Sequence, residues 1–143
     1  MNVPLDNTMI THAVSAQKLR IGIKSLETLA DAGIVKGIKS RTNKKPRYKP
    51  FDLDRLLCQI QDKLTQVATA SPTEYCSIGD ACFQYRLNTA TITELLLGDQ
   101  LPHTVRVNGT LGYEGIYISR SDIGLAIKIL IDAPRIWMLT AKL

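Results

Sequence analysis

The chain has 143 residues, 45% of them apolar, and a formal charge of +5. That length fits one ordinary domain or two very small ones, and the apolar content excludes a disordered polypeptide. The charge is uneven: residues 1–70 hold 12 Lys/Arg against 6 Asp/Glu, whereas residues 71–143 hold 6 against 7, so a polyanion is expected to meet the first half.

Cys58, Cys76 and Cys82 are an odd set without a Cys-x-x-Cys pair, and only His12 and His103 stand beside them. That spacing fits no zinc ribbon or finger and points to reduced thiols. No basic-then-apolar leader follows Met1, and no apolar run reaches about 18 residues. The expectation is a cytoplasmic, nucleoid-associated protein with no membrane partner, no metal and no cofactor.

In chain order, residues 1–10 lack a period and read as an arm. Ala13, Ala16 and Leu19 mark a short helix from His12 to Arg20. Ile21-Gly22 is the turn. Ile23 to Ala32 forms a second helix with Leu26, Leu29 and Ala30 inward, and Gly33 stands where a left-handed helix stop is expected. Ile34-Val35 starts a strand. Residues 36–50, KGIKSRTNKKPRYKP, carry seven Lys/Arg and no acid. They read as a basic hairpin anchored by Ile38 and Tyr48 and closed on the core by Phe51. Asp52 or Asp54 caps a third helix with Leu53, Leu56, Leu57, Ile60 and Leu64 on one face.

The plan then repeats. Arg20, Ile21, Leu26 and Leu29 align with Arg86, Leu87, Ile92 and Leu95 at a shift of 66; Ile34, Phe51, Leu56 and Ile60 align with Leu101, Ile118, Ile123 and Ile127 at a shift of 67. Such internal periods outrank other signals in assigning a fold. In the second copy a helix around Ile78 and Ala81 runs to about Arg86, Leu87-Asn88 is the turn, and Thr89 to Leu97 is the second helix. Val105 and Val107 alternate in a hairpin whose Asn108-Gly109 is a turn signal. Ser119 or Ser121 caps a last helix with Ile123, Ile127, Leu130 and Ile131. Pro134 ends it, and an apolar tail follows.

The expected fold class is α+β, mostly helical: two tandem winged helix-turn-helix modules with short β-hairpin wings. Their expected bounds are 1–68 for the basic module, 69–74 for a linker and 75–143 for the second module. A helix-turn-helix lays its second helix in the major groove. Lys24, Ser25 and Thr28 are therefore expected outward, with Lys18 and Arg20 on the backbone, and Glu27 and Asp31 turned away from phosphates. Lys39, Arg41, Lys44, Lys45 and Arg47 of the wing supply phosphate contacts. Thr89, Thr91 and Arg106 are the weaker candidates of the second copy. Tyr85, Tyr113, Tyr117 and Trp137 are not interleaved with positive charge and read as packing groups rather than base-stacking platforms.

The phrases "LADAG" and "LLLGDQL" before each hairpin, with "FDLDRL" and "ISRSDI" after it, resemble the winged helix-turn-helix of the MerR and excisionase type. The resemblance covers about residues 11–57 and 76–123, and the second copy is the closer. Paired modules of this kind are also similar to the C-terminal regions of TniQ/TnsD-type target-selection proteins of transposons. The resemblance implies duplex DNA as partner, in transcription regulation or in recombination and transposition, beside other proteins of those processes. A second copy of the chain is a further candidate partner. The chain lacks the long dimerisation helix and effector domain of a MerR regulator, so inducer sensing is not implied. No phosphate-cradling glycine loop, His-x-x-x-His or dense carboxylate cluster points to an enzyme. The rival expectation is a protein-interaction scaffold within a nucleoprotein complex.

Overall fold

The computed structural model describes residues 9–39 and 45–128. The architecture is α+β and mostly helical. Helices α1 (His12–Leu19), α2 (Ile23–Asp31) and α3 (Pro50–Gln61) come first, then strands β1 (Thr65–Val67) and β2 (Tyr75–Ser77), helices α4 (Ile78–Tyr85) and α5 (Thr89–Leu97), and strands β3 (Val105–Val107) and β4 (Ile116–Ser119). Helix α6 occupies residues 120–128. Arg41, Lys44, the first eight residues, Leu130, Ile131, Pro134, Trp137 and the apolar tail lie outside the described residues.

Helix starts follow local chemistry. The Thr11 hydroxyl accepts from the Val14 amide at 3.2 Å and opens α1. Ser77 does the same for α4, from the Asp80 amide at 3.1 Å, and Asn88 for α5, from the Thr91 amide at 2.8 Å. Each satisfies an amide that the first turn leaves without a partner. Helix α3 differs from expectation. It begins with Pro50 after Lys49 and has no side-chain cap, so neither Asp52 nor Asp54 performs that role; proline at the first helical position lacks the N–H that would need one. Ser119 caps α6, accepting from the Asp122 amide at 3.4 Å.

The four strands form one mixed sheet in the order β1-β3-β4-β2. β1 runs parallel to β3, with Thr65 opposite Val105. β3 and β4 are antiparallel, as are β4 and β2. Among the described residues ahead of α3 the pairing is limited to two bridges, Ile10 with Tyr48 and Ile38 with Arg47, and Ile34-Val35 does not start a strand.

These bridges restate the repeat more sharply than the sequence does. Ile10 opposite Tyr48 matches Cys76 opposite Ile118, and Ile38 opposite Arg47 matches Val105 opposite Tyr117. The shift is therefore 66 as far as Val35 and Leu101, 67 at the first hairpin arm, and 70 from the second arm onward. The alignment of Phe51 with Ile118 is overturned. Phe51 is 69% exposed whereas Ile118 is fully buried, and Tyr48 is the buried counterpart. Leu53 pairs with Ile123 and Leu56 with Ala126, all four buried. Phe51 does not close the hairpin on the core; its ring lies 5.4 Å from the Arg55 guanidinium carbon on the surface of α3.

A single apolar cluster runs through both halves, from Leu19, Leu26, Leu29 and Leu53 to Ile92, Leu101, Ile116 and Ile123. Sharing it increases the surface two small units bury. α2 and α3 both pack on α5. The loop after β3 folds onto the first helix pair: the Tyr113 amide donates to the Leu19 carbonyl at 2.8 Å.

Candidate nucleic-acid interface

The two turns between paired helices share an unusual backbone. Arg20 follows α1 at φ 59° and Arg86 follows α4 at φ 55°, both left-handed. A non-glycine residue there costs about 1–2 kcal/mol. Both are arginines, 66 positions apart, and both are exposed. The sequence pattern singles out Arg20 but not Arg86; their identity within the repeat was the available signal.

Helix α2 has the glycine Gly22 as its N-cap and no side-chain cap. Lys24 beside it is exposed. Ser25 and Thr28 are only half-exposed, and Thr28 donates its hydroxyl to the Ser25 carbonyl at 2.7 Å. They do not project freely outward. Together with Arg20, Gly22 and Lys24 they form one wall of a cleft of about 470 Å³, whose other wall includes Ser77, Asn88 and Thr89.

The hairpin base of the first half is anchored from inside. The buried His12 ring contacts the Ile23 carbonyl through Nε2 at 3.2 Å and the Tyr48 hydroxyl through Nδ1 at 3.0 Å. A carbonyl only accepts, so Nε2 carries the proton, and in the neutral ring Nδ1 accepts from Tyr48. His12 thus ties the start of α2 to the second hairpin arm. Burial, helped by Glu27 and Asp31, pushes the Tyr48 hydroxyl up to about 12.

Lys39 and Lys45 are exposed and Arg47 half-exposed. Lys39 and Lys45 share a groove of about 640 Å³ with Glu27 and Asp31. The two acids therefore face the hairpin base and do not turn away from it. Lys36 and Lys49 add further exposed cations on the same stretch. Lys18 pairs with Asp54 at 2.9 Å.

The second copy departs from its predicted role. Thr89 is only 7% exposed, so it is no outward contact. Thr91 is half-exposed, and its hydroxyl is bound to Asn88 Oδ1 at 3.0 Å. Arg106 is 5% exposed and is not a free hairpin cation. Its Nε donates to Gln61 Oε1 at 2.7 Å, its Nη2 to the Gly112 carbonyl at 2.6 Å, and its Nη1 to the Glu114 carbonyl at 3.0 Å and to Thr110 Oγ1 at 3.4 Å. Burial pulls its pKa below the usual arginine value. Its work within the protein is to join α3 to the loop that rests on Leu19.

Tyr113 is buried, and its hydroxyl donates to Thr93 Oγ1 at 2.8 Å while Thr93 donates to the Thr89 carbonyl. Burial pushes Tyr113 up to about 12. The three cysteines are free, and burial raises the thiols of Cys76 and Cys82. Among the described residues no group of three His, Cys, Asp or Glu side chains is placed to hold a metal ion, and no helix is long and apolar enough to cross a membrane.

No protein-family model, curated protein or solved structure matches the chain.

Proposed function

We propose that the chain binds duplex DNA through two tandem winged helix-turn-helix modules of the MerR/excisionase type, selecting sequence in transcription control or in DNA recombination and transposition. One observation carries the reading. In the first repeat the turn, the second helix and both hairpin arms each expose a cation: Arg20, Lys24, Lys39 and Lys45. These are the parts a winged helix-turn-helix brings to the duplex. Glu27 and Asp31 beside the hairpin base repel phosphate, so the phosphate-facing edge lies toward the N-terminal end of α2. Phosphate contacts there give affinity and register.

The test is binding to a mixed-sequence duplex across a salt series, with wild type beside Lys24→Ala/Lys39→Ala/Lys45→Ala. Each lost phosphate contact flattens the log–log salt slope by about 0.9. Absence of binding at low salt, or an unchanged slope in the variant, sinks the proposal.

A second reading has its own support. Phe83 on α4 is 88% exposed and Leu125 on α6 is also exposed, while Arg106 and Thr89 are buried. In this reading the second repeat docks a protein partner within a nucleoprotein complex and the chain has little DNA affinity of its own. A binding response flat in salt favours it.

A further inference from the structure

Three cations from both repeats line one cavity. Lys18 and Arg20 come from α1 and its turn, and Arg106 comes from β3. The cavity holds about 440 Å³, its polar wall is completed by Gln17, Gln61 and Thr110, and among the described residues no Asp or Glu lines it. Arg106 is buried there without a counter-ion: among the described residues it forms no ion pair. Its four hydrogen bonds go to neutral oxygens, and a guanidinium has five N–H groups, so one Nη2 hydrogen remains. Neutral acceptors compensate only part of the cost of taking a cation out of water; an anion compensates the rest.

We infer that this cavity between the repeats is a seat for a phosphate group, held by Arg20 and Lys18 in front of the buried Arg106. Arg20 is exposed at the mouth. Lys18 now pairs with Asp54 at 2.9 Å, but both side chains are solvent-accessible. Exposed pairs of this kind are weak and exchange partners readily. An incoming phosphate, with more charge and more acceptor oxygens than one carboxylate, competes well for the ammonium. The neighbouring cleft beside Lys24 is the poorer candidate, because Glu114 lines it.

The same chemistry has two sources: free phosphate and a phosphodiester of the DNA backbone. The second rests on the duplex-binding reading above. The experiment measures thermal stability of the full chain against inorganic phosphate, with sodium chloride at matched ionic strength as reference, for wild type, Lys18→Ala, Arg20→Ala and Lys128→Ala. Phosphorus NMR linewidth reports the bound anion directly. Wild type is expected to gain stability with phosphate and to broaden its signal. Arg20→Ala and Lys18→Ala should each weaken phosphate binding about tenfold, while Lys128→Ala, an exposed lysine of α6 outside the cavity, keeps it. No phosphate effect in wild type overturns the inference, as does an effect that survives both cavity substitutions.

A duplex is then titrated into the phosphate-loaded protein. Release of phosphate identifies a backbone phosphodiester as the natural occupant. Retention of phosphate on the DNA-bound protein identifies the free anion. Phosphate binding by a protein that ignores the duplex supports the seat and removes the duplex-binding reading, so the two ideas fail separately.

Discussion

The Tyr113 amide donates to the Leu19 carbonyl at 2.8 Å, which fixes the end of the first helix of one repeat against the hairpin loop of the other. Gly112 makes that approach possible. A Cβ there would lie 2.6 Å from the Leu19 oxygen, and the residue sits at φ 63°. Gly112→Ala should therefore cost the backbone strain of a forced left-handed residue, roughly 1–3 kcal/mol, plus the displacement of the loop. Gly124→Ala is the control. It lies in α6 with nothing within 4 Å and should gain roughly 0.5–1 kcal/mol from better helix propensity. Thermal unfolding by circular dichroism reads both, and equal melting temperatures for the two variants contradict the close packing.

Alkaline pH should unfold the protein early. Tyr48 and Tyr113 are both pushed up to about 12, so the unfolded chain loses their protons near 10 while the folded chain retains them. Between those values the unfolded state binds fewer protons and stability falls as pH rises. The contribution from Tyr113 is on the order of 2 kcal/mol. Tyr113→Phe should flatten the fall in melting temperature across this window, and an unaltered pH profile would falsify the assignment. Thr93→Val, which leaves the buried Tyr113 hydroxyl without its acceptor, should cost roughly 1–3 kcal/mol at neutral pH.

Two neighbouring apolar residues on α3 should behave oppositely. Phe51→Ala removes an exposed ring over Arg55 and should cost less than about 1 kcal/mol. Leu53→Ala opens a cavity in the core and should cost about 2–5 kcal/mol. Denaturant unfolding separates them; a comparable loss for Phe51→Ala would mean that its ring is covered in solution.

Removing the acids beside the hairpin base should strengthen duplex binding. Glu27→Gln/Asp31→Asn takes away repulsion next to Lys39 and Lys45 and should tighten binding about threefold at low salt, with the gain fading as salt rises. Fluorescence anisotropy with a short duplex measures it. Weaker binding by the variant would mean that the acids order the hairpin for contact.

Much of this fold was legible because local chemistry decides it. α2 begins at Ile23 and α5 spans Thr89–Leu97, as their periods require, and Gly33 takes a left-handed turn at φ 77°. The repeat failed at Phe51 for a physical reason. The second hairpin has extra residues in its loop, and loop length leaves no hydrophobic period to count. Counting from the wrong arm length puts the exposed Phe51 where the buried Tyr48 belongs. Arg106 and Thr89 failed differently. Exposure of a polar side chain depends on what packs against it, and nothing local in the sequence says that the second hairpin folds onto Leu19. Arg20, Lys24, Lys39 and Lys45 needed no such knowledge, since unpaired lysines and arginines stay at the surface by default.

The parallel pairing of β1 with β3 ties the two repeats by backbone hydrogen bonds in addition to the chain that joins them. β1 follows the last helix of the first repeat, yet the Thr65 amide donates to Thr104 at 3.2 Å and the Asn108 amide to Val67 at 2.9 Å, both across the boundary. A cut between the repeats would strip the sheet of its outer strand β1 and leave β3 with a bare edge. Bare edges recruit whatever strand they meet. A severed second half should therefore borrow its missing strand from another molecule, and the natural product of such a cut is a strand-exchanged oligomer instead of two smaller proteins.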